Sequence, residues 1–194
     1  MLTKNIFFQN FKIKPLKTEF RKNFISLIKK GIKKEKNLLF SFTNKYKQSY
    51  NRSNLIKLKK KFPIINIIGI GGSILGSKAI YFFLRDKIKS KIIFKDNLIN
   101  FREDFNQKKK LNIIISKSGN TLETIVNSNI EIKARDKNIV ITENTKNYVK
   151  TLAQNLKAEI IDHKNYIGGR YSVLSEVGML PAELMGLNTI KFKR

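Results

Sequence analysis

Ile64-Ile65-Asn66-Ile67-Ile68 runs directly into Gly69-Ile70-Gly71-Gly72-Ser73-Ile74-Leu75-Gly76. A short β-branched run bounded by glycines reads as a buried strand that ends in a tight turn. The pattern recurs further on, where Leu111-Asn112-Ile113-Ile114-Ile115 runs into Ser116-Lys117-Ser118-Gly119-Asn120-Thr121. Glycine lets a backbone approach a ligand closely, and N–H groups with hydroxyls at a helix start attract anions. Two such loops in one parallel sheet can converge on a single phosphate.

Outward from these stretches, strand and helix signals alternate. Strands are expected at 64–70, 92–94, 111–115, 138–142 and 158–162, and helices at 77–87, 121–135 and 145–157. A looser, helix-compatible stretch leads into the third strand. The helical segments carry stripes such as Ala79, Ile80, Phe83, Leu84 and Tyr148, Val149, Leu152, Leu156. Short apolar strands separated by helices imply a parallel sheet covered on both faces. The expected fold is therefore α/β, a three-layer αβα sandwich with a five-stranded mostly parallel sheet, preceded by N-terminal helices. Residues 1 to about 60 read as amphipathic helix, with Phe20, Phe24, Leu27 and Ile28 recurring between lysines. A strand order of 2-1-3-4-5 would make strands one and three neighbours where the order reverses, so both loops would open into one crevice.

The chain has 194 residues, a formal net charge of +26 and no cysteine. No disulfide or thiolate metal site is possible, and a lone histidine, His163, makes a structural zinc site improbable. No apolar run of membrane-spanning length and no secretory signal is present, so the expected compartment is the cytoplasm. A basic chain can bind nucleic acid. Here lysine supplies 33 of the 40 cations, spread along the chain beside 29 isoleucines and 21 asparagines, all residues with A/T-rich codons. Arginine, the better reader of phosphates and guanine edges, occurs seven times. Composition bias is the simpler account, and no nucleic-acid partner is expected.

The first loop also invites comparison with G-x-G-x-x-G, and Asp96 stands where a ribose-binding acid would. Ile74 occupies the third glycine position, and the second loop would then be unexplained. In that second loop Ser116, Ser118 and Thr121 form a hydroxyl cradle before a helix. Plain N-capping by Thr121 would account for one hydroxyl but not for the cluster. Lys117 could add charge or be a surface residue. Gly168-Gly169-Arg170-Tyr171-Ser172-Val173-Leu174-Ser175 follows the fifth strand. An arginine presented by two glycines suits a developing oxyanion, or is simply a turn residue.

Together these motifs resemble glucose-6-phosphate isomerase, the phosphoglucose isomerase family, in its N-terminal sugar-isomerase half. The first loop looks like that family's first phosphate loop, and Ser116-Lys117-Ser118-x-x-Thr121-x-Glu123-Thr124 like its second. Gly168-Gly169-Arg170-Tyr171-Ser172-Val173-x-Ser175-x-Val177-Gly178-x-Leu180-Pro181-Ala182 is similar to its third signature and is the most specific of the three. Two positions depart: Ile74 stands where an acid is usual, and Ser118-Gly119-Asn120 where Thr-Phe-Thr is common. The resemblance implies a sugar-isomerase-like sheet and aldose–ketose interconversion of glucose 6-phosphate and fructose 6-phosphate in glycolysis and gluconeogenesis, with no cofactor and no metal. It implies Ser73, Ser116, Ser118 and Thr121 with backbone at Gly72, Lys117, Gly119 and Asn120 as substrate-binding groups, and Arg170 as the catalytic stabiliser of an enediolate. It further implies a small-molecule sugar phosphate as partner, no membrane, and a homodimer for the full-length protein. Family members have two sugar-isomerase halves. The expected division is an N-terminal helical segment at 1–62, a phosphate-binding domain at 63–187 and a truncated end at 188–194, with the second domain and its catalytic base absent. Glu123 reads as a helix-start carboxylate. The alternative is a stand-alone sugar-phosphate-binding or regulatory module.

Overall fold

A computed structural model of the chain describes residues 18–98 and 109–193. In chain order the elements are α1 (Thr18–Lys33), α2 (Arg52–Lys61), β1 (Ile64–Ile68), α3 (Gly72–Phe83), β2 (Lys91–Lys95) and β3 (Lys110–Ile115). There follow α4 (Leu122–Glu131), β4 (Lys137–Thr142), α5 (Tyr148–Asn155), β5 (Glu159–Asp162) and α6 (Glu176–Leu184). All strand pairings are parallel, in the order β2-β1-β3-β4-β5. The expected α/β sandwich and its strand order are therefore what the chain adopts.

Strand alternation sends Ile65, Ile67, Leu111, Ile113, Ile115, Ile139, Ile141 and Ile161 to one face, where they meet Ile74 and Ile80 of α3 and Val177, Met179 and Leu180 of α6. Leu55 of α2 joins the same cluster. The other face is thinner: Ile68, Ile114 and Val140 meet Val149 and Ala153 of α5. That face also carries three buried amides at one level, Asn66, Asn112 and Asn138, which are register partners across β1, β3 and β4. Asn66 Nδ2 donates to Asn112 Oδ1 at 3.2 Å, and Asn112 Nδ2 to Asn138 Oδ1 at 2.9 Å. Beside them Glu131, at the end of α4, is bracketed by Lys95 at 2.9 Å and Lys110 at 3.3 Å. Buried polar groups persist where they are hydrogen-bonded, and each rung of this ladder is joined to the next, although the outer Asn66 Oδ1 has no partner among the described residues.

One face of α6 explains the Pro181 inside it. Proline has no N–H, so it leaves the carbonyl four residues earlier without its helical donor. That carbonyl belongs to Val177, and the Ser77 hydroxyl of α3 donates to it at 3.3 Å.

Element bounds differ from expectation for local reasons. β1 stops at Ile68, and α3 starts at Gly72 rather than at 77, because Gly71 turns the chain at φ +54. α3 closes at Phe83, with a separate 3-10 turn at Arg85–Lys87. α4 ends at Glu131 rather than near 135, where Asp136 draws in the N–H groups of Lys110 and Lys133 at 3.0 and 3.1 Å. α5 is capped by Asn147, and just past it Lys157 turns left-handed at φ +49. The single N-terminal helical reading becomes α1 and α2 with a 3-10 turn, Leu38–Phe42, between them. Residues 1–17 and the looser stretch at 99–108 lie outside the described residues. α1 buries none of its side chains, and its Phe20, Phe24 and Leu27 stripe is exposed. No described helix is long and apolar enough to cross a membrane.

Candidate anion-binding site

The carboxyl ends of β1 and β3 lie side by side where strand order reverses, the place a parallel sheet leaves open for a ligand. The two loops touch there. A Cβ on Gly69 would stand 2.9 Å from the Ile115 carbonyl oxygen, so only glycine lets the strand ends close up. The third motif is braced on the first loop. A Cβ on Gly72 would run into the Gly169–Arg170 peptide, 2.7 Å from the Arg170 nitrogen. Ser172 Oγ ties this corner by donating to the Gly169 carbonyl at 2.6 Å. Gly76 packs on Val173 and Gly178 against the Val173 carbonyl, so small residues on α3 and α6 bring the Arg170 turn up to the loop. Three motifs far apart in sequence thus meet at one corner.

The start of α4 offers open donors. The N–H groups of Leu122, Glu123 and Thr124 have no acceptor among the described residues, and the first internal bond of the helix is Ile125 N–H to the Thr121 carbonyl at 3.1 Å. Thr121 is the cap residue, yet its hydroxyl makes no capping bond. It faces Ser116 Oγ at 3.2 Å instead. Plain N-capping is therefore not what that hydroxyl does.

The remaining candidates divide by position. Ser116 is buried, and its Oγ accepts the Gly119 N–H at 3.1 Å, so it shapes the loop from beneath. Ser118 is exposed, and its Oγ is 3.4 Å from the Asn120 nitrogen. Ser73 stands half-buried in the first turn of α3, its hydroxyl without a hydrogen bond among the described residues. Arg170 is exposed on a 3-10 turn, Gly169–Tyr171, and its guanidinium has no protein partner among the described residues. Lys117 behaves differently: its ammonium donates to the Asn165 carbonyl at 2.9 Å and pairs with Glu143 at 3.4 Å, so its side chain links β3 to the ends of β4 and β5.

Glu176 was not singled out by motif reading, whereas His163 and Asp96 were. Glu176, wholly buried in the first turn of α6, accepts from Tyr46 Oη at 2.7 Å and from the Ser49 N–H at 2.8 Å. A carboxylate there is favoured by the helix dipole, and this one fastens the segment at 46–49 to the base of the Arg170 turn. Its only signal in sequence is an acid two residues before a glycine. His163 is buried, as a structural histidine would be. Burial holds its imidazole below the ordinary value, with Nδ1 3.3 Å from the Lys164 carbonyl. Asp96, the ribose-acid candidate of a dinucleotide site, pairs with Lys78 at 2.6 Å. Among the described residues no cluster of three or more histidines and acids is arranged to hold a metal.

The family model described as Phosphoglucose isomerase matches residues 32–192. The chain belongs to the phosphoglucose isomerase family. Curated glucose-6-phosphate isomerases of Leptospira interrogans and Acholeplasma laidlawii are 31% and 35% identical to it over 160 and 159 residues. Those alignments cover 70% and 71% of this chain but 35% and 38% of the relatives, so the chain spans about a third of the length of the isomerases it matches. Among solved structures, a hypothetical protein from Thermus thermophilus superposes with a TM-score of 0.67 at 19% identity, over 88% of this chain and 46% of that one. Tagatose-6-phosphate ketose/aldose isomerase from Escherichia coli gives 0.54 at 16% identity over 73% and 43%. A further E. coli protein, solved with a ligand bound, gives 0.56 at 14% identity over 88% and 93%. These likenesses concern the fold, which the phosphoglucose isomerase family shares with other phosphosugar isomerases.

Proposed function

We propose that this chain is the sugar-phosphate-gripping part of a glucose-6-phosphate isomerase, which interconverts glucose 6-phosphate and fructose 6-phosphate in glycolysis and gluconeogenesis. The observation that carries the reading is the corner where Gly69, Gly72 and Arg170 meet beside the open N-terminus of α4. In this reading the phosphate takes the open N–H groups of α4 with the Thr121, Ser118 and Ser73 hydroxyls and the backbone of Gly72, Lys117, Gly119 and Asn120. Ser116 supports them from below. That grip lies away from the reacting carbons, so its binding energy serves to orient them. Arg170 faces the sugar and stabilises the anionic enediolate. The reading assigns the proton-transferring base to no residue of this chain.

The experiment is calorimetric titration with fructose 6-phosphate and 6-phosphogluconate, alongside a coupled isomerase assay. Saturable binding with little or no turnover is expected, while robust turnover by these 194 residues contradicts the assignment of the base elsewhere. A thermal shift with NAD but none with 6-phosphogluconate overturns the reading in favour of a dinucleotide site. A second reading, a stand-alone sugar-phosphate-binding module, is favoured by the ligand-bound E. coli structure, of which this chain covers 93%. The nucleotide sequence beyond the Arg194 codon separates the two. Continued coding supports the isomerase, and a stop followed by a separate gene supports the module.

A further inference from the structure

The loop between β3 and α4 is held from behind by the start of the next helix. Val149 N–H donates to the Gly119 carbonyl at 3.0 Å, and Tyr148 N–H to Asn120 Oδ1 at 3.1 Å. Lys150 N–H goes to the helix's own cap, Asn147 Oδ1, at 2.8 Å. The first three N–H groups of α5 are therefore consumed inside the protein, in contrast to those of α4. Asn147 is itself buried, with Nδ2 donating to Thr142 Oγ1 and the Thr145 carbonyl, each at 3.2 Å. Its amide lies directly against Gly119, where a Cβ would land on it, and Gly119 has φ +67. A glycine at 119 and an acceptor side chain at 120 are what this packing requires.

Peptide geometry gives the arrangement a direction. In a trans peptide the carbonyl and the following N–H point opposite ways. With the Gly119 carbonyl turned toward α5, the Asn120 N–H faces away from it, to the side of Ser118 Oγ. That contact, at 3.4 Å, is long for an N–H···O bond, so the donor remains open to a better acceptor.

We propose that the start of α5, acting through the Asn120 side chain and Asn147, sets the Gly119–Asn120 peptide so that the Asn120 N–H is delivered to the ligand's phosphoryl oxygens. Asn147 and the Asn120 side chain are then positioning groups for the site, and the proposal rests on the sugar-phosphate reading above.

The test uses Asn120→Ala and Asn147→Ala, with Asn120→Asp as the conservative variant that keeps an acceptor for the Tyr148 N–H. Asn147→Ser retains a helix cap while removing the amide, which guards against simple unfolding of α5. Amide exchange over 117–121 is measured without ligand, and fructose 6-phosphate affinity by calorimetry. The alanine variants and Asn147→Ser are expected to speed exchange across the loop about tenfold. They are also expected to weaken binding about fivefold, the scale of one lost hydrogen bond. Asn120→Asp is expected to keep exchange at the wild-type rate. Unchanged loop exchange, or loosened exchange with unaltered affinity, overturns the proposal. Failure of the unmutated chain to bind fructose 6-phosphate overturns the sugar-phosphate reading and this role with it, and that failure shows in the wild-type arm alone.

Discussion

Ser116 and Thr121 carry similar hydroxyls five residues apart, yet one is sealed under the loop and the other stands at its mouth. Replacing Thr121 or Ser73 by alanine should weaken fructose 6-phosphate binding about three- to tenfold each, the net range of one ordinary hydrogen bond. Thermal unfolding should barely move, and calorimetry with a melting curve checks both. Gly72→Ala acts through shape instead. The new Cβ meets the Gly169–Arg170 peptide, so destabilisation of about 1–3 kcal/mol by denaturant titration is expected. The loops were legible in sequence because glycines and hydroxyls before a helix express a local requirement. The fate of the Lys117 ammonium was not legible. It is decided by Glu143 and Asn165, residues that reach it only once β4 and β5 have docked.

At the level of elements, apolar β-branched runs announced all five strands. Burial on both faces leaves little choice in the central β1, β3 and β4, while the partly covered edge strands β2 and β5 keep only a short apolar run. Helix starts were misplaced where backbone conformation outweighs side-chain periodicity, as at Gly71 ahead of α3 and Asn147 ahead of α5. The amide ladder was hidden for a different reason: a single asparagine in each apolar run carries no signal until the register sets the three side by side. Asn112 lies in the middle, donating to Asn138 Oδ1 and Asp136 Oδ2 and accepting from Asn66. Asn112→Ala should therefore cost about 2–4 kcal/mol in chemical denaturation, since it strands several buried polar groups at once.

For the molecule as a whole, His163 links stability to pH. Burial keeps its folded-state pKa below the unfolded value of about 6.5, so the unfolded chain binds the proton more readily. Stability from this group is complete above about pH 6.5 and is lost as pH falls toward the lower folded value. His163→Gln should flatten the decline in melting temperature below about pH 6.5. The three-amide rung across β1, β3 and β4 also bears on how such a sheet can diverge over time. Its members hold value only as a set: losing one leaves the others stranded, whereas exchanging all three for aliphatic residues restores a dry interior. An alignment of close relatives should then show these positions changing together, wholly amide or wholly aliphatic, with mixed combinations rare.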